Sequence, residues 1–404
     1  MHPTFDRPFD PPFDPLNGIT VIALEHAISG PFCTRQLADL GARVIKIERP
    51  GVGDFARGYD ERVRGLSSQF IWCNRSKESL TLDVKHPEAK NILLKLLANA
   101  DVLVQNLAPG AAARLGLSYD ALSPTHPGLI VCDISGYGSN GPYRDKKAYD
   151  LLIQSESGFL SVTGTPEAPA KAGISIADIS AGMYAYSNIL AALLQRGLTG
   201  KGTRIDLSLL ETMGEWMSYA LLYAFDGAPP PPRSGAAHAT IAPYGPFRAG
   251  DGLTVMLGLQ NEREWKVFCE RVLEKPELAA DPRFSSNSKR TAARDALSAI
   301  IEEVFAPLTA PQVLERLDAA QIANARVNDI HEVQTHPQLA ARKRWSEVET
   351  SAGKVSVLIP PGREPDSHPR MDAVPALGYH TDAILRELGY DDVAIAKLRA
   401  ARAI

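Results

Sequence analysis

Several common devices are missing from this 404-residue chain. It has four cysteines, Cys33, Cys73, Cys132 and Cys269, far apart and embedded in apolar sequence. No Cys-x-x-Cys, Cys/His cluster or spaced His-Glu motif is present, so no metal site is expected. Buried, reduced thiols in a cytoplasmic protein are the natural reading. No run of 18 apolar residues predicts a membrane span. The net charge is −4 with no basic block, which argues against a nucleic-acid partner. The opening segment lacks both a basic region and an apolar stretch, so no signal peptide is expected. Its repeated Phe-Asp units, over residues 1–15, read as an extended arm without regular structure.

What is present is an alternation of apolar runs and helical patterns. Residues 18–24, 43–48, 101–105, 128–134 and 203–208 read as strands. Residues 31–40, 87–99 and 209–225 carry helical spacing. Strand–helix alternation predicts an α/β fold built on a parallel sheet. Residues 227–235 hold four consecutive prolines and read as a stiff linker. They separate a large domain (16–226) from a smaller α+β domain (236–344) with a hairpin over 244–257. Helices are expected over 261–273, 289–305 and 310–320. The tail (345–404) is expected to return to the large domain and to end in helix from 381 onward.

Asp178 opens the longest apolar helical pattern, which continues to Leu194. Most Asp residues at a helix start only cap it, stabilising it by roughly 1 kcal/mol. The free N–H groups there also favour an anion. Gly173, Ala177, Ser180, Ala181 and Gly182 add little bulk nearby. That clearance suits the approach of a large ligand, and a purely structural cap has no use for it.

Other motifs are weaker. Gly136-Tyr-Gly-Ser-Asn-Gly141 fits a dinucleotide fingerprint, but it follows a later strand (128–134) instead of the first and opens no apolar helix. A glycine-rich loop is the better reading. Gly197-Leu-Thr-Gly-Lys-Gly202 lacks the residues of a phosphate loop and reads as a helix end. Nine histidines are scattered; His26, closing the first strand, alone stands where α/β sheets form their ligand crevice. Arg49, Lys85, Arg114 and Lys147 lie in loops or near element ends. Ordinarily such residues are solvated surface charges. A ligand with several phosphates needs such a set.

Taken in order, several stretches resemble class III CoA-transferases of the CaiB/BaiF family over nearly the whole chain. They are Leu16-Asn-Gly-Ile-Thr-Val-Ile-Ala-Leu-Glu-His26, Ser29-Gly-Pro-Phe-Cys-Thr34, and Gly41-Ala-Arg-Val-Ile-Lys-Ile-Glu-Arg-Pro-Gly51 with Gly53-Asp54. Asn74-Arg-Ser-Lys77, Leu82-Asp-Val-Lys85, Asp101-Val-Leu-Val-Gln-Asn106 and Arg114-Leu-Gly116 follow, and Leu377-Gly-Tyr-His-Thr-Asp-Ala-Ile-Leu385 closes the match. The resemblance implies a Rossmann-like domain with a smaller domain, in an interlocked homodimer. It implies that Asp178 attacks an acyl-CoA thioester, passing through an aspartyl anhydride and an aspartyl-CoA thioester. It implies CoA contacts from His26, Arg49, Lys85, Asn106, Arg114, Lys147 and Tyr149. CoA and acyl-CoA enter as substrates, and no permanently bound cofactor is implied.

Formyl-CoA transferases carry Gln where Ile28 stands and a glycine-rich lid where this chain has residues 235–247. Residues 257–265 with that lid instead resemble relatives acting on C4–C5 dicarboxylic acyl-CoAs such as mesaconyl-, citramalyl-, itaconyl- or succinyl-CoA. A second substrate carboxylate then points to Arg263 or His238. Two rivals remain. Racemases of the same fold place a His-Asp pair where this chain has Tyr149-Asp150, and a phenol is a poor base near pH 7. A non-catalytic acyl-CoA-binding protein has no use for Asp178.

Overall fold

The computed structural model describes residues 14–363 and 369–404. Most of the expected N-terminal arm, residues 1–13, lies outside the described residues. By contact the chain divides into two compact units. The first takes in residues up to Ser157, then Gly173–Trp216 and Pro337–Ile404. The second is Gly158–Ala172 with Met217–His336.

The first unit is built on a six-stranded parallel sheet. Its strands are β1 (Thr20–Leu24), β2 (Arg43–Glu48), β3 (Lys77–Thr81), β4 (Val102–Gln105), β5 (Ile130–Ser135) and β6 (Arg204–Ser208), in the order β3-β2-β1-β4-β5-β6. The order reverses between β1 and β4, where Val21 pairs with Val102 and Leu24 with Gln105. Chain connections leave these two strands in opposite directions, which opens a crevice beyond their carboxyl ends. Four strands follow from β-branched apolar runs buried on both faces. β3 does not: its sequence is Lys-Glu-Ser-Leu-Thr, and Lys77 lies inside the protein. Apolar patterning leaves such a strand unmarked.

One face of the sheet is covered by the helix Ala89–Leu97 and by the tail helices Thr381–Glu387 and Asp392–Ala400. Ile384, Leu385, Ile395 and Leu398 join Ile22, Ile45, Leu103 and Val131 in one core. The helices Ser29–Asp39 and Ile176–Thr199 pack against each other. The expected 209–225 helix is two helices, Leu209–Trp216 and Ser218–Tyr223. A hairpin of β10 (Trp345–Val348) and β11 (Val355–Leu358) precedes the tail.

The second unit holds an antiparallel sheet of β7 (Tyr244–Arg248), β8 (Thr254–Gly258) and β9 (Ala323–Arg326). Its core gathers Phe247, Leu257, Trp265, Phe268, Phe284, Ile301 and Phe305. Residues 228–234, most of the expected linker, carry neither strand nor helix. Among the described residues no single helix is long and apolar enough to cross a membrane. The bent pair Arg294–Phe305 and Ala310–Ala319 passes on composition alone. Its Leu297, Ile301, Val313 and Leu317 are used in this core.

Candidate active site

At the crevice, β1 and β4 are tied by one side chain. The amide of Asn106 accepts from the His26 N–H at 2.8 Å and donates to the His26 carbonyl at 2.8 Å. It also donates to the Ser29 hydroxyl at 3.3 Å. His26 and Asn106, both expected CoA contacts, are thus brought together, with Asn106 employed in holding the loop. Ala27 follows in the left-handed region, at φ 61°, and its N–H donates to Asp54 at 3.1 Å. The His26 ring stacks on Phe55 at 5.4 Å, and Phe55 lies 5.8 Å from Tyr59. Burial pushes the His26 pKa down, Asp54 opposing it, so the ring is neutral at pH 7. Its Nδ1 is buried without a hydrogen-bond partner.

Beneath this loop lies a set of buried charges. Lys46 bonds Asp54 at 2.8 Å and reaches Glu25 at 3.5 Å. Lys77 bonds Glu25 at 2.8 Å, Asn74 at 3.0 Å and the Pro31 carbonyl at 2.9 Å. Burial alone raises the Glu25 pKa, but Lys77 and Lys46 outweigh it and hold the carboxylate below its ordinary value. Burial pushes Lys77 down to about 8, against the pull of Glu25. Asp54 then accepts from the Ala56 N–H and starts the short 3-10 turn Phe55–Gly58. The network therefore sets both lips of the crevice.

Asp178 is the third residue of the helix Ile176–Thr199. The expectation that it caps this helix, and is thereby held as an anion, is corrected. Ser175 occupies the cap position and makes no side-chain capping bond. The Ile176 N–H donates to the Ile174 carbonyl at 2.8 Å. The N–H groups of Ala177 and Asp178 donate to Asp150, at 2.8 and 3.2 Å. Asp150, 28 residues upstream, is the capping carboxylate. Among the described residues the Ser29 hydroxyl is the group that favours the Asp178 anion. The residue is half-buried, reachable from solvent yet surrounded by protein. Burial, then the neighbouring Asp150, push its pKa from 3.8 up to about 7.

The reading of Gly182 as clearance for a ligand is also corrected. A Cβ there would meet the Ser29 carbonyl at 2.8 Å and Phe32 at 2.9 Å, so this glycine lets two helices approach. Around Gly173 the space is open. Tyr59 is a site residue that sequence reasoning missed. Burial, then Asp54, Asp178 and Tyr149, raise its phenol to about 12, so Tyr59 lies within electrostatic reach of the same carboxylate. Only an aromatic four residues from Phe55 hinted at it. Tyr149 is 68% exposed and precedes the helix Asp150–Glu156.

The remaining expected residues fall into three groups. Arg49 follows β2, Lys85 follows β3, Arg114 closes the turn Ala111–Arg114 beyond β4, and Lys147 follows β5; all four are exposed. They belong to segments leaving the carboxyl ends of the strands. Ile28 is 2% exposed, packed with Phe32 and Cys73 and against Ile179. His238 and Arg263 belong to the second unit. There His238 stacks on Tyr244 at 5.2 Å and accepts from the Thr240 N–H at 3.2 Å. Arg263 is exposed on the helix Glu262–Val267. The segment between them is anchored by its backbone, Arg294 donating to the His238 carbonyl at 2.7 Å and Asn287 to the Thr240 carbonyl at 2.8 Å.

The Gly136–Gly141 run leaves β5 as turns, and the next helix begins only at Asp150. Nothing there presents a helix N-terminus to a pyrophosphate. Among the described residues no three His, Cys, Asp or Glu side chains are grouped to hold a metal.

A family model described as CoA-transferase family III matches residues 16–381. A succinyl-CoA:glutarate CoA-transferase of Homo sapiens is 34% identical over 394 residues, covering 96% of this chain and 89% of that protein. An acetyl-CoA:oxalate CoA-transferase of Acetobacter aceti is 38% identical over 333 residues, 82% of this chain and 85% of that one. The crystal structure of a CaiB/BaiF family protein from Brucella suis superposes with a TM-score of 0.81 at 34% identity, covering 93% of this chain and 99% of the other. Likeness of this extent makes the chain a member of CoA-transferase family III, and so a class III CoA-transferase.

Proposed function

We propose that the enzyme moves CoA between an acyl-CoA and a dicarboxylic acid, with Asp178 as the covalent nucleophile. The observation that carries this reading is the setting of Asp178: a crevice carboxyl with a pKa near 7 and no cation against it. A desolvated carboxylate is a stronger nucleophile than one solvated by water or helix amides. It attacks the thioester carbonyl, the C–S bond breaks, and CoA leaves as thiolate from a mixed anhydride. The thiolate attacks the aspartyl carbonyl, releases the donor acid and leaves an aspartyl-CoA thioester. The acceptor carboxylate runs the same steps in reverse.

Arg49, Lys85, Arg114 and Lys147 are assigned to the phosphates of CoA, which their exposure at the strand ends supports. His26 and Asn106 shape the wall, with Tyr149 and Tyr59 beside the nucleophile. The relatives' names support a diacid acceptor, since glutarate and oxalate are both dicarboxylic acids. Within that class we favour C4–C5 acids such as succinate, mesaconate, itaconate or citramalate, with Arg263 or His238 as the candidate cation for a second carboxylate and Ile28 as a candidate specificity residue. An interlocked homodimer is part of the proposal. Leu194 and Leu198 of the Ile176–Thr199 helix are 75% and 90% exposed, an apolar face that a second copy would cover.

The test is trapping. The protein is incubated with succinyl-, glutaryl-, acetyl- or oxalyl-CoA without acceptor, then treated with hydroxylamine, and its peptides are weighed. A hydroxamate on Asp178 is expected with at least one donor. Transfer that proceeds while Asp178 stays unmodified overturns the reading.

A further inference from the structure

The mouth of the Ile176–Thr199 helix has an unusual division of labour. An acid in the first turn of a helix is ordinarily stabilised by the free amides there. Here the amides are already taken. Ile176 donates to Ile174, and both Ala177 and Asp178 donate to a single oxygen of Asp150. Asp150 is fixed in turn, its other oxygen accepting from Gln154 at 2.7 Å, a side chain wholly buried one turn along. Asp178, the residue whose own N–H is captured, is left among the described residues with the Ser29 hydroxyl as the group that favours its anion.

We propose that Asp150 is a positioning residue that acts by competition: it occupies the amides that would otherwise solvate Asp178 and sets a second negative charge beside it, so the nucleophile stays basic and poorly solvated. This rests on the reading of Asp178 as the nucleophile. The groups facing Asp178 come from each element packed around it: Ser29 from the first helix, Tyr149 and Asp150 from the preceding segment, and Tyr59 from the turn after Asp54. None is a cation. Removing the Asp150 charge while keeping an acceptor at its oxygen separates capping from electrostatics. Asp150→Asn does this, its amide oxygen standing where Oδ1 stood; Asp150→Ser removes the charge with a shorter side chain.

The experiment titrates Asp178 in the unligated protein by carbon-13 NMR of its carboxyl, in the wild type and both variants. It also measures kcat/KM against pH with a donor that traps. In the wild type the Asp178 carboxyl and the acidic limb of kcat/KM titrate together near 7. In either variant both move down by about one pH unit. The kcat above pH 8 falls by roughly threefold, as expected of a weaker base, with KM for the acyl-CoA unchanged. A variant that only loosened the helix would lose activity evenly across pH and leave the limb in place. A carboxyl and limb that stay near 7 in a folded variant overturn the inference. If Asp150→Asn does not fold, Asp150→Ser decides; the NMR titration decides without any activity. Failure of the wild type to trap at Asp178 sinks the reading of the nucleophile instead, and the titration still reports whether Asp150 sets its ionisation.

Discussion

Two groups of buried acids in the first unit have opposite fates. Glu25, Asp54 and Glu48 sit as deep as any residue in the protein, yet all three are held ionised below their ordinary range. Burial works against each, and in each case Lys46, Lys77 or Arg57 outweighs it. Asp178 is less buried, faces another carboxylate and a hydroxyl, and is driven up to about 7. Burial is common to both groups, so burial does not mark chemistry. The sign of the neighbour does. Matched charges build the lips of the crevice, and the unmatched pair supplies the reactive group.

Removing the nucleophile breaks the comparison most sharply. Asp178→Asn is expected to lower transfer on the order of 10⁴-fold, measured by acyl-CoA exchange. It is also expected to stabilise the fold. The folded-state pKa of Asp178 lies above its unfolded value of 3.8, so stability is lost as pH rises from there to about 7. The gain for Asp178→Asn is therefore nil near pH 4, grows with pH and levels off above 7, at roughly 2–4 kcal/mol. Denaturant melts at pH 4 and pH 8 read it. Equal stability of the two proteins at pH 8 would mean that Asp178 is solvated like any surface acid.

The matched group predicts the reverse. Glu25→Gln leaves Lys46 and Lys77 without their shared partner and is expected to destabilise by about 3–5 kcal/mol at pH 7. The Glu25 pKa is held below 4.5, so its contribution is complete at neutral pH and disappears as pH falls through the folded value. The deficit of Glu25→Gln is then flat from pH 6 to 8 and shrinks in acid. A deficit that instead grew toward low pH would show that the carboxylate is not held ionised. One acid thus stabilises the fold at neutral pH and the other weakens it, within one unit.

The same contrast explains what could be read in the sequence. β1, β2, β4 and β5 follow from apolar runs, and Asp178 was found because a lone acid opened a long apolar helix. β3 escaped because its burial is made tolerable by an ion pair, Lys77 to Glu25, whose partners are 52 residues apart. The true cap escaped for the same reason. Asp150 reaches Ala177 across 27 residues, whereas cap signatures are local, within about three residues. Tyr59 had no signal beyond being aromatic. Local pattern finds what neighbouring residues do for each other, and the site is made by contacts between distant ones.

The smallest expected effect concerns how firmly Ser29 is held. Its hydroxyl favours the Asp178 anion, and its carbonyl lies where the first helix crosses Gly182. In Gly182→Ala the new methyl lies 2.8 Å from the Ser29 carbonyl and 2.9 Å from the Phe32 ring. The backbone cannot yield as a flexible side chain would, so the first helix must shift outward. Overpacking costs about 1–3 kcal/mol, and the better helix propensity of Ala returns roughly 0.5–1 of it. A net loss near 1 kcal/mol is expected in a denaturant melt. The more telling readout is the acidic limb of kcat/KM. A Ser29 hydroxyl drawn away no longer favours the anion, so the limb moves above 7 by a few tenths of a pH unit, opposite to the shift expected for Asp150→Asn. A stability loss with the limb unmoved would show that Ser29 is not what tempers the nucleophile, leaving Asp150 and burial alone to set it.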